Sequence, residues 1–327
     1  MTSEVDRILG RVGGPAGAAA VMLAPGPGEA LAEYSYRSDE LFPLASSFKL
    51  FVLHALLEDA AAGRLDLETR IPTLRAAASL GDRKPQLSPL RRLAEMMIYS
   101  SGNTASDLLF KLVGLGAPGR VIARLGLAHT RVVLPTREYY VIIGGLDPDF
   151  PADDLPAAAA RFAALTPVQQ VACIERVSRR AAPLSTREIE RATEGFYAYR
   201  RYNRPETYAI LEGIDNVSTP AEMLTLMRYL HAGVDLPSPL TAEMHRILAR
   251  GDGRRDAGCF HGKISAWGGK GGSDLSQASV NGYALAPDGR VMVYSLLAAR
   301  LHDELRGGVR LCQALRALYT ALSGLPA

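Results

Sequence analysis

The sequence predicts an α+β protein, with an antiparallel sheet drawn from both chain ends, terminal helices flanking it, and an all-helical domain inserted between. Three observations carry this. Two β-prone apolar runs, 17–24 and 30–36, lie near the start. Three strand-like runs, 262–267, 277–286 and 291–298, lie near the end. Most of the chain between them shows apolar residues at helical spacing. Strands that far apart in sequence can share one sheet if the helices between them form a layer of their own. The expected division is 1–45 with 255–327 for the sheet, and 46–254 for the helices.

The elements follow in order. Val5, Ile8 and Leu9 give residues 4–12 an amphipathic helical face, ended by Gly13-Gly14-Pro15. Pro25-Gly26-Pro27-Gly28 separates the first two strands as a hairpin. The apolar run Phe48 to Leu57 reads as a buried helix. Helical patterns then cover 88–99, the stretch from Asn103 to Leu112, and the stretch from Pro118 to about Leu125. Segment 136–217 differs: it is an insertion expected to form a small helical lid. It includes a helix begun by Thr166-Pro167 and a run rich in tyrosine and arginine, with Tyr197, Tyr199, Arg200, Arg201, Tyr202, Arg204 and Tyr208. Ser218-Thr219-Pro220 opens a helix to about His231, and Leu240-Thr241 opens another to about Leu248. Pro287-Asp288-Gly289 joins the last two strands, and a helix from about Leu305 to Leu322 closes the chain.

Composition narrows the partners. The chain has 327 residues, 48% apolar and 22% charged, enough for a core without a metal or disulfide staple. A net charge of +3 without a basic tract argues against a nucleic-acid partner. No run has the length and apolarity of a membrane span, so no membrane partner is expected. The first residues lack the apolar stretch of a secretory signal, which makes the cytoplasm the expected location. The three cysteines, Cys173, Cys259 and Cys312, are odd in number and widely spaced, and read as buried free thiols. The histidines show no metal-ligand spacing, although His261 could line a site. No metal and no cofactor are expected.

Three short motifs carry chemistry. In Ser46-Ser47-Phe48-Lys49 the lysine lies one helical turn after the serine, on the same face, where it can take the hydroxyl proton. Ser101-Gly102-Asn103 sits between two helices and offers a hydroxyl for proton transfer and a carboxamide for an acyl-amide carbonyl. Lys270-Gly271-Gly272-Ser273 is expected where a strand enters a glycine-rich turn. There Gly272 would let a substrate approach the backbone, and Lys270 could hold a carboxylate. The N–H groups of Ser46 and Ser273 could form an oxyanion hole. Each motif alone is also compatible with an ordinary capped helix or surface turn.

Together, in this order, they resemble the Ser-x-x-Lys, Ser-Asp-Asn and Lys-Thr-Gly signature of class A serine β-lactamases and the related penicillin-binding proteins. The flanks Phe42-Pro43-Leu44-Ala45, Thr104-Ala105-Ser106-Asp107 and Ser218-Thr219-Pro220-Ala221-Glu222-Met223 resemble that family as well. The resemblance covers nearly all the chain except 136–217. It implies that Ser46 is the acylated nucleophile, Lys49 its base or base partner, and Ser101 a proton shuttle. Asn103, Lys270, Gly272 and Ser273 would bind a small, carboxylate-bearing substrate.

The departures matter too. Gly102 and Gly271 replace an aspartate and a threonine of the signature. The family's Ω-loop glutamate, which activates the deacylating water, has no clear counterpart. Counting from Thr130-Arg131 puts Thr136 in its place, with Glu138 two residues late as the candidate base. These departures favour a hydrolase or esterase of small-molecule metabolism over a drug-resistance enzyme. A DD-peptidase or acyltransferase, or a non-catalytic ligand-binding homologue, are the alternatives.

Overall fold

The computed structural model describes residues 2–26, 28–72, 78–80, 87–200, 205–250, 257–260, 262–274 and 276–324. Five strands form one sheet: β1 (Ala16–Leu23), β2 (Ala30–Tyr36), β3 (Ala266–Asp274), β4 (Gln277–Leu285) and β5 (Val291–Ala298). Their order is β2-β1-β5-β4-β3, antiparallel throughout, so the two chain ends meet where β1 pairs with β5, from Ala16↔Ala298 to Leu23↔Val291.

Every residue of β5 is buried, and alternation sends its side chains into two cores. Val293 and Leu297 enter one; Met292, Tyr294 and Leu296 enter the other. A sheet buried on both faces needs a cover on each. The terminal helices α1 (Thr2–Leu9) and α13 (Glu304–Ser323) supply one, packing Val5, Leu9, Leu311, Leu315 and Leu318 against Met22 and Tyr294.

Helices supply the other cover. At its centre is α2 (Lys49–Ala61), in which Leu50, Phe51, Val52, Leu53, Leu56 and Leu57 are all buried. A helix apolar around its whole circumference belongs inside a layer rather than on one. Around it lie α3 (Leu90–Tyr99), α4 (Asn103–Val113), α5 (Pro118–Leu125), α11 (Pro220–Ala232) and α12 (Ser238–Leu248). Thr219 caps α11, its side chain accepting from Glu222 N.

The inserted segment folds into α6 (Thr136–Ile143), α7 (Leu155–Ala163), α8 (Pro167–Ala181), α9 (Thr186–Arg200) and α10 (Pro205–Ile214). A capping box of Thr166 and Gln169 starts α8. Ile142, Phe162, Ile174, Val177, Ile189 and Ile210 join the same core as α2, so these helices pack as part of the helical layer. Arg201, Tyr202, Arg204 and His261 lie outside the described residues, as do the side chains of Tyr197, Tyr199 and Arg200.

Two expectations need correction. The strand expected at 262–267 runs instead from Ala266 to Asp274. Lys270-Gly271-Gly272-Ser273 is therefore strand, paired with Asn281, Val280, Ser279 and Ala278 of β4, and not a turn. Glycine runs weaken a strand by propensity, but register with a neighbour overrides that. Cys259 and Cys312 are not free thiols but a disulfide, their Cα atoms 5.3 Å apart across 53 residues. The short helical turn Ala257–Phe260 packs against α13 and brings them together, which linear spacing does not reveal. Cys173 is a buried free thiol.

Candidate active site

Ser46 lies in a 3-10 turn, Ala45–Phe48, that runs directly into α2. The preceding segment fixes this turn. Phe42–Pro43 pairs with Val217–Ser218, Leu44 N donates to Asn216 O at 2.8 Å, and Ser279 Oγ donates to Leu44 O at 3.0 Å. Ala45 is held at φ 46° and Ser101 at φ 54°, a left-handed conformation that costs a non-glycine residue on the order of 1–3 kcal/mol. Both strained residues flank the same lysine.

Lys49 is fully buried. Its Nζ lies 2.7 Å from Ser101 O, 2.9 Å from Asn103 Oδ1, and 3.2 Å from both Ser46 Oγ and Ser101 Oγ. The two carbonyl oxygens only accept, whereas the two hydroxyls can also donate. A neutral amine has two N–H bonds and one lone pair. When the amine is neutral and its N–H bonds go to the carbonyls, its lone pair can face the hydroxyls, the geometry a base would need.

β3 forms the opposite wall. It is an edge strand, and Gly272 comes so close to the Ser46 turn that a Cβ there would lie 2.5 Å from Ser46 N. Only glycine fits. A buried polar network joins strand and turn from below: Ser47 Oγ donates to Lys270 O at 3.1 Å, lies 2.7 Å from Ser279 Oγ, and accepts from Asn281 Nδ2 at 2.8 Å. Lys270 is fully buried, its Nζ donating to Gly271 O.

Two cavities open at Ser46. The larger, about 340 Å³, is lined by Ser101, Lys270, Gly272 and Ser273, and extends to Arg316 and the Cys259–Cys312 pair. The smaller, about 80 Å³, is lined by Asn103, Thr136, Tyr139, Tyr140, Asp215 and Gln277, among others. Sequence reading missed Asp215 and Gln277, which belong to no motif.

Ser46, Lys49, Ser101 and Asn103 thus come together, with Lys270, Gly272 and Ser273 facing them. Glu138 does not join them. Its side chain is fully buried in α6, paired with Lys111 Nζ at 2.7 Å and accepting from Ser178 Oγ at 2.8 Å, and neither partner lines the cavities at Ser46. Thr136 lies on the cavity instead. Asp107 organises this corner by accepting from the N–H groups of Thr136 and Arg137, both at 2.8 Å, at the start of α6. Burial, with the nearby Glu138 charge, holds the Asp107 carboxyl above its ordinary range. Among the described residues, no cluster of histidine, cysteine or acidic side chains could hold a metal ion.

A model of the β-lactamase enzyme family matches residues 2–307. No curated protein matches the sequence. Among solved structures, a β-lactamase from Sphaerobacter thermophilus superposes with a TM-score of 0.68 at 21% identity, covering 100% of this chain and 98% of that one. PBP-A superposes with a TM-score of 0.66 at 18% identity, covering 99% and 96%. A β-lactamase from Chitinophaga pinensis gives 0.64 at 16%, covering 97% and 98%. At such identities the likeness carries the fold alone.

Proposed function

Because the chain belongs to the β-lactamase enzyme family, we propose that it is a serine hydrolase of that type, forming an acyl-enzyme from an amide, β-lactam or ester carbonyl. The observation that carries this is the arrangement at Lys49, whose Nζ has two carbonyl acceptors and lies 3.2 Å from the Ser46 hydroxyl. Lys49 takes the Ser46 proton as Oγ attacks the carbonyl carbon. The N–H groups of Ser46 and Ser273 receive the developing oxyanion. Ser101 Oγ, 3.2 Å from the same Nζ, relays the proton to the leaving nitrogen or oxygen. Lys270 and Ser273, in the larger cavity, serve a substrate carboxylate, and Asn103, on the smaller one, its acyl amide.

The narrower reading is a hydrolase or esterase of small-molecule, natural-product metabolism. It rests on Gly102, Gly271 and Thr136, each of which replaces a polar group that penicillin turnover uses in the family. A PBP-A mutant has been captured as its penicillin G acyl-enzyme, which makes penicillin G a sensible first probe.

The test is intact-protein mass after incubation with penicillin G, a cephalosporin and an activated ester such as p-nitrophenyl acetate. Wild type should gain the mass of one acyl group and Ser46→Ala none. Labelling of Ser46→Ala equal to wild type, or no label and no turnover with any probe, would sink the reading.

A further inference from the structure

Resting on the acyl-enzyme reading, we propose that Asp215, supported by Thr136 and Gln277, is the general base that activates water to deacylate Ser46. Leu44, two residues before Ser46, donates its N–H to Asn216 O, so the segment that shapes the nucleophile turn is bonded directly to the residue after Asp215. The Asn216 side chain holds the other wall: its Oδ1 accepts from Val133 N at 2.9 Å and Leu134 N at 3.0 Å, and its Nδ2 donates to Leu134 O at 2.8 Å. Thr136 follows two residues later. Asp215, Thr136 and Ser46 therefore border one cavity because a single asparagine pins both walls to the nucleophile turn.

The chemistry of that cavity fits a hydrolytic water. Its volume, about 80 Å³, holds more than one water molecule. Two residues lining it carry buried polar atoms with no protein partner among the described residues, Thr136 Oγ1 and Gln277 Oε1. Asp215 itself is fixed: Gln277 Nε2 donates to its Oδ2 at 2.9 Å and Asn216 N to its Oδ1 at 2.7 Å. Each carboxylate oxygen keeps a further lone pair. Glu138, the base expected from sequence, is committed to Lys111 and Ser178.

The step balances. Asp215 takes one proton from the water as its oxygen adds to the acyl carbon. The bond from that carbon to Ser46 Oγ then breaks as Oγ takes a proton relayed by the Lys49 amine. Asp215 supplies that proton through solvent to Lys49, which ends neutral as it began, leaving free enzyme and a carboxylic acid.

Burial pushes the Asp215 carboxyl up to about 7. The Gln277 hydrogen bond opposes this, the Asp274 charge adds to it, and Asn216 N–H and the Arg131 charge oppose it more weakly. Tyr139 and Tyr140 of α6 and Asp274 of β3 are the other titratable groups lining the cavity. A base of that acidity is half ionised near neutral pH, where proton acceptance is most effective. Asp274 also lines the cavity and is the rival base.

The experiment measures deacylation of penicillin G and p-nitrophenyl acetate acyl-enzymes by quench and intact mass, from pH 5 to 9. In wild type the rate should rise tenfold per pH unit below about 7 and level above it. Asp215→Asn should acylate within threefold of wild type, deacylate roughly a hundred- to ten-thousandfold more slowly, and lose the pH dependence. Thr136→Val should slow deacylation about tenfold. Deacylation of Asp215→Asn within threefold of wild type, or the full loss appearing in Asp274→Asn instead, overturns the assignment. If Asp215→Asn does not fold, a flat wild-type profile overturns it alone. Absence of any adduct or turnover with wild type defeats the Ser46 reading itself, a distinct outcome from normal acylation with unchanged deacylation.

Discussion

Among the described residues, Ser101 O, Asn103 Oδ1, Ser46 Oγ and Ser101 Oγ all lie within 3.2 Å of Lys49 Nζ, which offers at most three N–H bonds, so its protonation state decides which contacts survive. Replacing Lys49 with methionine keeps the volume and removes the proposed base. Acylation of Ser46 should fall by roughly a hundred- to ten-thousandfold. The melting temperature should fall as well, because Ser101 O and Asn103 Oδ1 lose their donor; calorimetry beside the mass assay separates the two effects. Gly272→Ala is the steric counterpart. Its Cβ would lie 2.5 Å from Ser46 N, so acylation and stability should fall together. The positions of Ser46, Lys49, Ser101 and Asn103 were legible because spacing along a helix is a local property. Asp215 was not, because a lone aspartate before an asparagine signals nothing until the fold brings it to a serine far away in the chain.

Between elements, Arg131 joins the end of α10 to the entrance of α6. Its guanidinium donates to Asp215 O at 2.7 Å, Gly213 O at 2.9 Å and Glu212 O at 3.2 Å, satisfying carbonyls the helix end leaves unpaired. Arg131→Ala should lower the unfolding free energy by about 2–4 kcal/mol in urea titration. It should also reduce turnover, since Asp215 loses its backbone anchor. The helices and the hairpin strands could be read from periodicity and capping residues. The strand carrying Lys270 could not be bounded, because Gly268, Gly269, Gly271 and Gly272 read as a turn until β4 pairs with them.

For the molecule as a whole, two features govern stability. Asp107 and Asp215 hold their protons in the fold to higher pH than in the unfolded chain. For a raised carboxyl the contribution is fully present below the unfolded value, near pH 4, and is lost as pH rises toward about 7. The arginine-paired Glu95 and Glu243 are shifted down, so their contribution is lost only in more acidic solution. Unfolding free energy should therefore decline from pH 4.5 to 7, with a shallower slope in Asp215→Asn, measured by denaturant midpoints across that range. The Cys259–Cys312 bond closes a loop of 53 residues, and Cys312→Ala should cost about 2–4 kcal/mol. The linear sequence hid this pair because the packing of one short turn on the last helix creates it. Ala45 and Ser101 sit in left-handed backbone that glycine tolerates better, so a screen for heat resistance alone would enrich glycine at both positions. Glycine at Ser101 would also remove the hydroxyl 3.2 Å from Lys49 Nζ, so a screen blind to turnover would erode the proposed proton relay from that side.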